Sequence, residues 1–93
     1  MKNSVVRPAK MPTFKYGSSS YYVLAFSYIY DKAMSIDDYV EVANGSLPDR
    51  SKIQRALGVL EKNSSVIKIT EKHWRITVVG VQQLLFLNQT AKV

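Results

Sequence analysis

The segment over about residues 49–63 constrains this chain more than any other. Ile53, Ala56, Leu57 and Leu60 recur at i, i+3, i+4 and i+7, the spacing that gathers apolar side chains into one stripe of a helix. At about 100° per residue, Ser51, Arg55, Gly58 and Lys62 fall opposite that stripe, flanked by Lys52 and Gln54. A helix divided in this way buries one side and shows a cationic, hydrogen-bonding side to something else. Glycine in mid-helix costs about 1 kcal/mol relative to alanine. Gly58 therefore marks either crowding against a neighbouring helix or a place where a ligand comes close.

The elements around this helix follow from local signals. Pro8, Pro12 and Gly17 punctuate residues 1–17, which have no apolar period and are expected to form a basic, flexible arm. Ser18, Ser19 and Ser20 offer capping oxygens to the apolar run at 21–30. That run is rich in strand formers, but its length, serine start and polar end predict a helix through about Met34. Ser35 and Asp38 have the spacing of a capping box. Ile36, Tyr39, Val40 and Ala43 follow at helical spacing, and Asn44-Gly45 supplies a left-handed stop. Ser46-Leu47-Pro48 is the expected turn, with Asp49 or Ser46 as the next cap.

Beyond the basic helix, Asn63-Ser64-Ser65 breaks the pattern. Residues 66–70 and 73–77 then alternate as a hairpin around Glu71-Lys72. Alternation predicts Ile67, Ile69, Trp74 and Ile76 inward, with Lys68 and Arg75 outward. Thr77 can cap a last helix with Val81, Leu84 and Leu85 inward, which leaves Val79, Phe86 and Leu87 on its other faces. A helix apolar nearly all round has to be covered by something.

Charge is unevenly spread within the net +6 of these 93 residues. Lys2, Arg7, Lys10 and Lys15 stand without an acid in the arm. Asp31, Asp37, Asp38, Glu41 and Asp49 then outnumber Lys32, and the remainder is strongly basic again. A chain divided so attracts polyanions to its basic part, although a merely solvated surface has the same composition. With 46% apolar residues, one small domain over residues 18–93 can bury a core. There is no cysteine, which excludes disulfides and thiolate metal sites. The first residues lack the apolar core of a signal peptide, and the run at 21–30 is too short to span a bilayer. The expectation is a soluble, cytoplasmic protein.

Helix, short helix, turn, basic helix, hairpin, helix is an order that resembles the winged helix-turn-helix superfamily. The run from Arg50 through Leu57 to Lys62 resembles the recognition helix of its small bacterial, archaeal and viral regulators. Trp74-Arg75-Ile76-Thr77-Val78-Val79-Gly80 resembles their passage from wing to last helix. The likeness covers residues 20–88. It implies a mostly α fold with a small β-hairpin: a three-helix core plus wing and a C-terminal helix. The chain differs from the pattern in its longer 44–48 connection, its acidic second helix and its short wing.

The resemblance implies a double-stranded DNA-binding protein, a small transcriptional regulator with the 49–63 helix in the major groove and the 66–77 hairpin as wing. Ser51, Gln54 and Arg55 are then the candidates for base edges. Arg50, Lys52, Lys62, Lys68, Lys72 and Arg75 are the candidates for backbone phosphates, which position without specifying. Excess apolar surface on the first and last helices predicts a homodimer through Tyr21, Tyr22, Phe26, Phe86 and Leu87. Packing within one chain absorbs some of the same surface. The tyrosines at 21, 22, 28, 30 and 39 can stack on unpaired bases, but their distance from most of the basic charge favours burial.

No enzyme is expected. Asp37 and Asp38 point about 100° apart on a helix, and their place in a first turn explains them electrostatically. His73 has no ligand cluster around it in the sequence and is expected to be a wing residue, without metal or cofactor. No phosphate-cradling glycine loop and no nucleophile-with-base pattern is present, and no small-molecule ligand is evident. Two other classes stay open: a protein-interaction module working through the acidic second helix and the apolar flanking helices, and an RNA or single-strand binder.

Overall fold

A side-chain oxygen opens every helix seen in the computed structural model, which describes residues 7–45 and 48–91. Among the described residues the order is α1 (Ser19–Tyr30), α2 (Ile36–Ala43), α3 (Arg50–Lys62), β1 (Val66–Thr70), β2 (His73–Ile76) and α4 (Val78–Thr90). The fold is mostly helical, with one small antiparallel hairpin. Ser18 accepts from the Tyr21 N–H, Asp49 from Lys52 and Thr77 from Gly80. At α2 the capping box is reciprocal. The Ser35 hydroxyl accepts from the Asp38 N–H at 3.2 Å, and the Asp38 carboxylate accepts from the Ser35 N–H at 2.9 Å. Caps of this kind each stabilise a helix by about 1 kcal/mol. Asp49 is thus the cap of α3; Ser46, the other candidate, lies outside the described residues.

The first helix is shorter than its sequence predicts. Asp31 adopts a left-handed conformation (φ 46°) and ends α1 after Tyr30. Met34, expected in the last turn, instead exchanges two backbone hydrogen bonds of 2.8 Å with Trp74. Leaving the helix there lets Met34 bury completely, and it ties the α1–α2 connection to the hairpin. The second helix stops where expected, at Asn44 (φ 51°) and Gly45 (φ 76°).

The buried stripe of α3 is the expected one: Ile53, Ala56, Leu57 and Leu60. They meet Val23 and Leu24 of α1, Tyr39 of α2, Val66 and Trp74 of the hairpin and Leu84 of α4. Tyr39 is fully buried, and its hydroxyl lies 2.6 Å from Ser27 Oγ, which itself donates to the Val23 carbonyl. Burial pushes the Tyr39 phenol above its ordinary pKa.

The first strand runs in the opposite phase to the expectation. Val66 stands opposite Ile76, and Lys68 opposite Trp74. Facing residues share a side of a hairpin, so Val66 and not Ile67 joins the core. Ile67 and Ile69 are 55% and 51% exposed. The phase is set at the strand entrance, where Ser65, its N–H held by the Leu60 carbonyl at 2.8 Å, precedes the strand and Val66 enters the core opposite Ile76. With Val66 inward, a period of two sends Ile67 and Ile69 out.

The last helix is also rotated from its predicted face. Gly80, Gln83, Leu84 and Leu87 are buried; Val81 is half-buried and Leu85 is exposed. Gly80 lies so close to the Ser65 carbonyl that a Cβ there would run into it.

Nor is residues 7–17 the free arm that was expected. Phe14 enters the core, and the Thr13 N–H donates to Asn63 Oδ1 at 2.9 Å while Asn63 Nδ2 returns a bond to Thr13 Oγ1. Gln83 Nε2 donates to the Lys10 carbonyl at 2.9 Å, and the Ala9 N–H to Gln82 Oε1. The segment is laid across the C-terminal end of α3 and the side of α4. Lys2 lies outside the described residues.

Candidate nucleic-acid interface

One side of α3 is bare. Ser51, Lys52, Gln54, Arg55, Gly58 and Lys62 are all exposed, opposite the four residues that anchor the helix. A Cβ built on Gly58 would meet nothing within 4 Å. Crowding by another part of the chain is therefore not the reason for a glycine at this position, and anything brought against this face can approach the helix backbone closely.

Of the six cations expected on a phosphate backbone, two have carboxylate partners. Arg50 pairs with Asp37 of α2, and Arg75 with Asp31 at 3.2 Å. Both pairs are largely exposed, where such contacts contribute about 0–1 kcal/mol. They are weak enough for a stronger anion to displace. Lys52, Lys62, Lys68 and Lys72 form no ion pair among the described residues. Lys68 places its ammonium 5.4 Å from the Trp74 ring centroid, a cation–π distance.

The hairpin turn comes to the N-terminal end of α3. Glu71 and Lys72 share a cleft of about 280 Å³ with Ser35, Asp37 and Arg50. Two acids and two bases face each other there, so this end of the surface is close to neutral. Asp38 is held below the usual carboxylate range, chiefly by the Ser35 N–H. His73 Nδ1 lies 2.8 Å from Thr70 Oγ1, which also accepts from the Lys72 N–H; His73 shapes the turn. Among the described residues no group of histidines and carboxylates is placed to hold a metal ion.

The opposite end of α3 is more cationic than its own residues provide. Lys10 Nζ donates to the Lys62 carbonyl at 2.7 Å, putting a second ammonium at the C-terminus of the helix, where its dipole favours positive charge. The sequence put Lys10 in a basic arm able to lie along a nucleic-acid backbone but did not place it at this end of α3. Only the basic charge of the arm signalled it, and nothing local said where the arm would lie.

The expected dimer residues are placed unevenly. Leu87 is in the core. Tyr21, Phe26 and Phe86 pack against that same core half-buried, and Tyr22 meets Tyr21 edge-on at 5.4 Å. Burial raises the Tyr21 phenol, which donates to Asn88 across α1 and α4. Packing within the chain thus absorbs much of the apolar surface that pointed to a second copy. Tyr28, Ile29 and Tyr30 at the end of α1 remain exposed, as do Val78 and Leu85 on α4.

Comparison with protein-family models, curated proteins and solved structures finds no match to this chain. Among the described residues no helix is long and apolar enough to cross a membrane.

Proposed function

We propose that this chain is a winged helix-turn-helix protein that binds double-stranded DNA, with α3 in the major groove and the β1–β2 hairpin as a short wing. The observation that carries the reading is the bare face of α3. Hydrogen-bonding Ser51 and Gln54, cationic Lys52, Arg55 and Lys62, and the open backbone at Gly58 all project from a helix whose other side is locked into the core. Major-groove recognition asks for donors and acceptors on a rigid cylinder that can come close to base edges. Lys68 and Lys72 extend the cationic surface along the hairpin.

Titration of a labelled duplex at two salt concentrations tests this. Neutralised phosphates release counterions, so affinity must fall steeply as salt rises. Binding that is absent at low salt, or indifferent to salt, ends the proposal. Gln54→Ala should cost about 1–3 kcal/mol and relax the preference at one base pair, read by comparing a selected duplex with a scrambled one.

A second reading is favoured by the carboxylates of α2. Asp37 takes Arg50, and Asp37 and Glu41 are exposed, so part of the surface next to α3 suits a basic protein partner better than DNA. Recovery of such a partner after nuclease treatment, from a protein with no affinity for duplex, would replace the first reading with this one.

A further inference from the structure

The strand β1 has one side paired and one side open. Val66, its first residue, is buried, and the four that follow are exposed. Which of its polar groups lie on the open side follows from β2. Trp74 uses both its N–H and its carbonyl on Met34, at 2.8 Å each, so neither is turned toward β1. Lys68 stands directly opposite Trp74, before the irregularity in the pairing. In an antiparallel pair, facing residues either exchange both hydrogen bonds or exchange none. Lys68 and Trp74 exchange none, which turns the Lys68 N–H and carbonyl away from β2, toward the outer edge. Among the described residues nothing pairs with them there.

The side chains sort by the same alternation. Lys68 shares the face of Trp74, its ammonium 5.4 Å from the ring centroid, and forms no ion pair among the described residues. Ile67 projects from the other face, and Ile67 and Ile69 are both more than half exposed. A segment laid along this edge meets a free donor and a free acceptor at Lys68. It also meets a cation on one side and aliphatic surface on the other.

We infer that the open edge of β1 is a docking site for an extended protein segment that alternates acidic and aliphatic residues. The guest residue facing Lys68 exchanges backbone hydrogen bonds with it. Facing residues share a side, so a carboxylate on that guest residue lies beside the Lys68 ammonium. The guest residues before and after it project to the other face and cover Ile67 and Ile69. Main-chain bonds supply the attachment, and the alternating side chains supply the selection. A second copy of this chain suits the edge less well. Its β1, Val66-Ile67-Lys68-Ile69-Thr70, has the same cation and no acid, and edge lysines oppose self-pairing. Docking here does not depend on whether the chain binds DNA, although both would use Lys68.

Amide hydrogen exchange of the full chain, followed by NMR, tests the edge with a short peptide alternating glutamate and valine. In the free chain the Lys68 N–H should exchange fast and the Ile67 N–H, turned to β2, slowly. Saturating peptide should slow Lys68 and leave Ile67 nearly unchanged, a pattern that pairing at the outer edge produces. A peptide alternating lysine and valine should bind about fivefold more weakly. Lys68→Glu should reverse that order of preference. Lys68→Ala keeps the outward N–H and should bind the glutamate peptide about two- to threefold more weakly than the parent. Lys68→Pro removes a donor that the hairpin does not use and should lose about fivefold more.

Unchanged Lys68 exchange in saturating glutamate peptide overturns the site, as does equal binding of the two peptides by the parent. Should Lys68→Pro fold poorly, Lys68→Glu decides alone, and a failure to reverse the preference ends the inference. Lys68 exchange that slows on concentrating the chain without peptide gives the edge to a second copy instead. A short duplex that slows the Lys68 N–H where the peptide does not assigns the edge to DNA and removes the protein guest.

Discussion

Helices α3 and α4 are both thirteen residues long and both pack into the same core, yet they are held by different means. In α3 the apolar residues fall on one stripe and the polar ones opposite, so hydrophobic burial alone fixes its rotation. In α4 apolar residues lie nearly all round, and burial alone would accept several rotations. Its contact face is decided by a glycine and an amide. Gly80 admits the Ser65 carbonyl, and the fully buried Gln83 is bonded to Ser65 while donating to the carbonyls of Lys10 and Asn63 at 2.9 and 3.0 Å. A segregated pattern orients a helix without help. A uniform one leaves the decision to steric fit and to buried polar groups, whose loss is punished more heavily than that of a surface hydrogen bond.

Substitutions can break this contrast. Gly80→Ala should be the most damaging, because the new methyl meets the Ser65 backbone and lies 2.9 Å from Ile76 Cγ1, atoms with little room to move. A loss of about 3 kcal/mol in denaturant unfolding is expected, at the upper end of overpacking costs. An unchanged midpoint would show that α4 is free to shift. Gln83→Leu should cost about 2 kcal/mol, because Lys10, Asn63 and Ser65 each lose a partner while the volume is kept. Its distinguishing mark is local: hydrogen exchange over residues 9–13 should quicken more than that of α3.

On α3 the sign reverses. Gly58→Ala faces open space and should stabilise the fold by about 1 kcal/mol, read as a higher melting temperature. If the face approaches a groove, the same variant binds duplex more weakly. A variant that binds as tightly as the parent would remove the close approach.

The smallest effect is expected in the first turn of α2. Asp38 is held below the ordinary carboxylate range by the Ser35 N–H. A group whose folded pKa is depressed adds stability above its unfolded value, and this is lost as pH falls through the folded one. The melting temperature should therefore decline below about pH 4, and Asp38→Asn should flatten that part of the profile. Equal slopes in both proteins would mean that the carboxylate is unimportant to the cap.

Much of the candidate surface could be read from the chain because its signals are local. The caps at Ser35, Asp49 and Thr77 depend on residues three apart, and the α3 stripe on contacts within two turns. Both survive whatever the rest of the molecule does. The exposure of Ser51, Gln54 and Arg55 follows from the same periodicity. Met34, Ile67 and Lys10 were not legible in this way. Each takes its role from a partner brought near by folding: Trp74 for Met34, the pairing of Val66 with Ile76 for the phase that exposes Ile67, and Lys62 for Lys10.

Sequence alone therefore settled which segments become helices, where they start, and which side of α3 stays in solvent, since those are matters of spacing between near neighbours. Tertiary structure alone decided the phase of the first strand, the rotation of α4 and the docking of residues 7–17. Those depend on buried hydrogen bonds and steric fits between residues as many as 73 positions apart, for which no local pattern carries a signal.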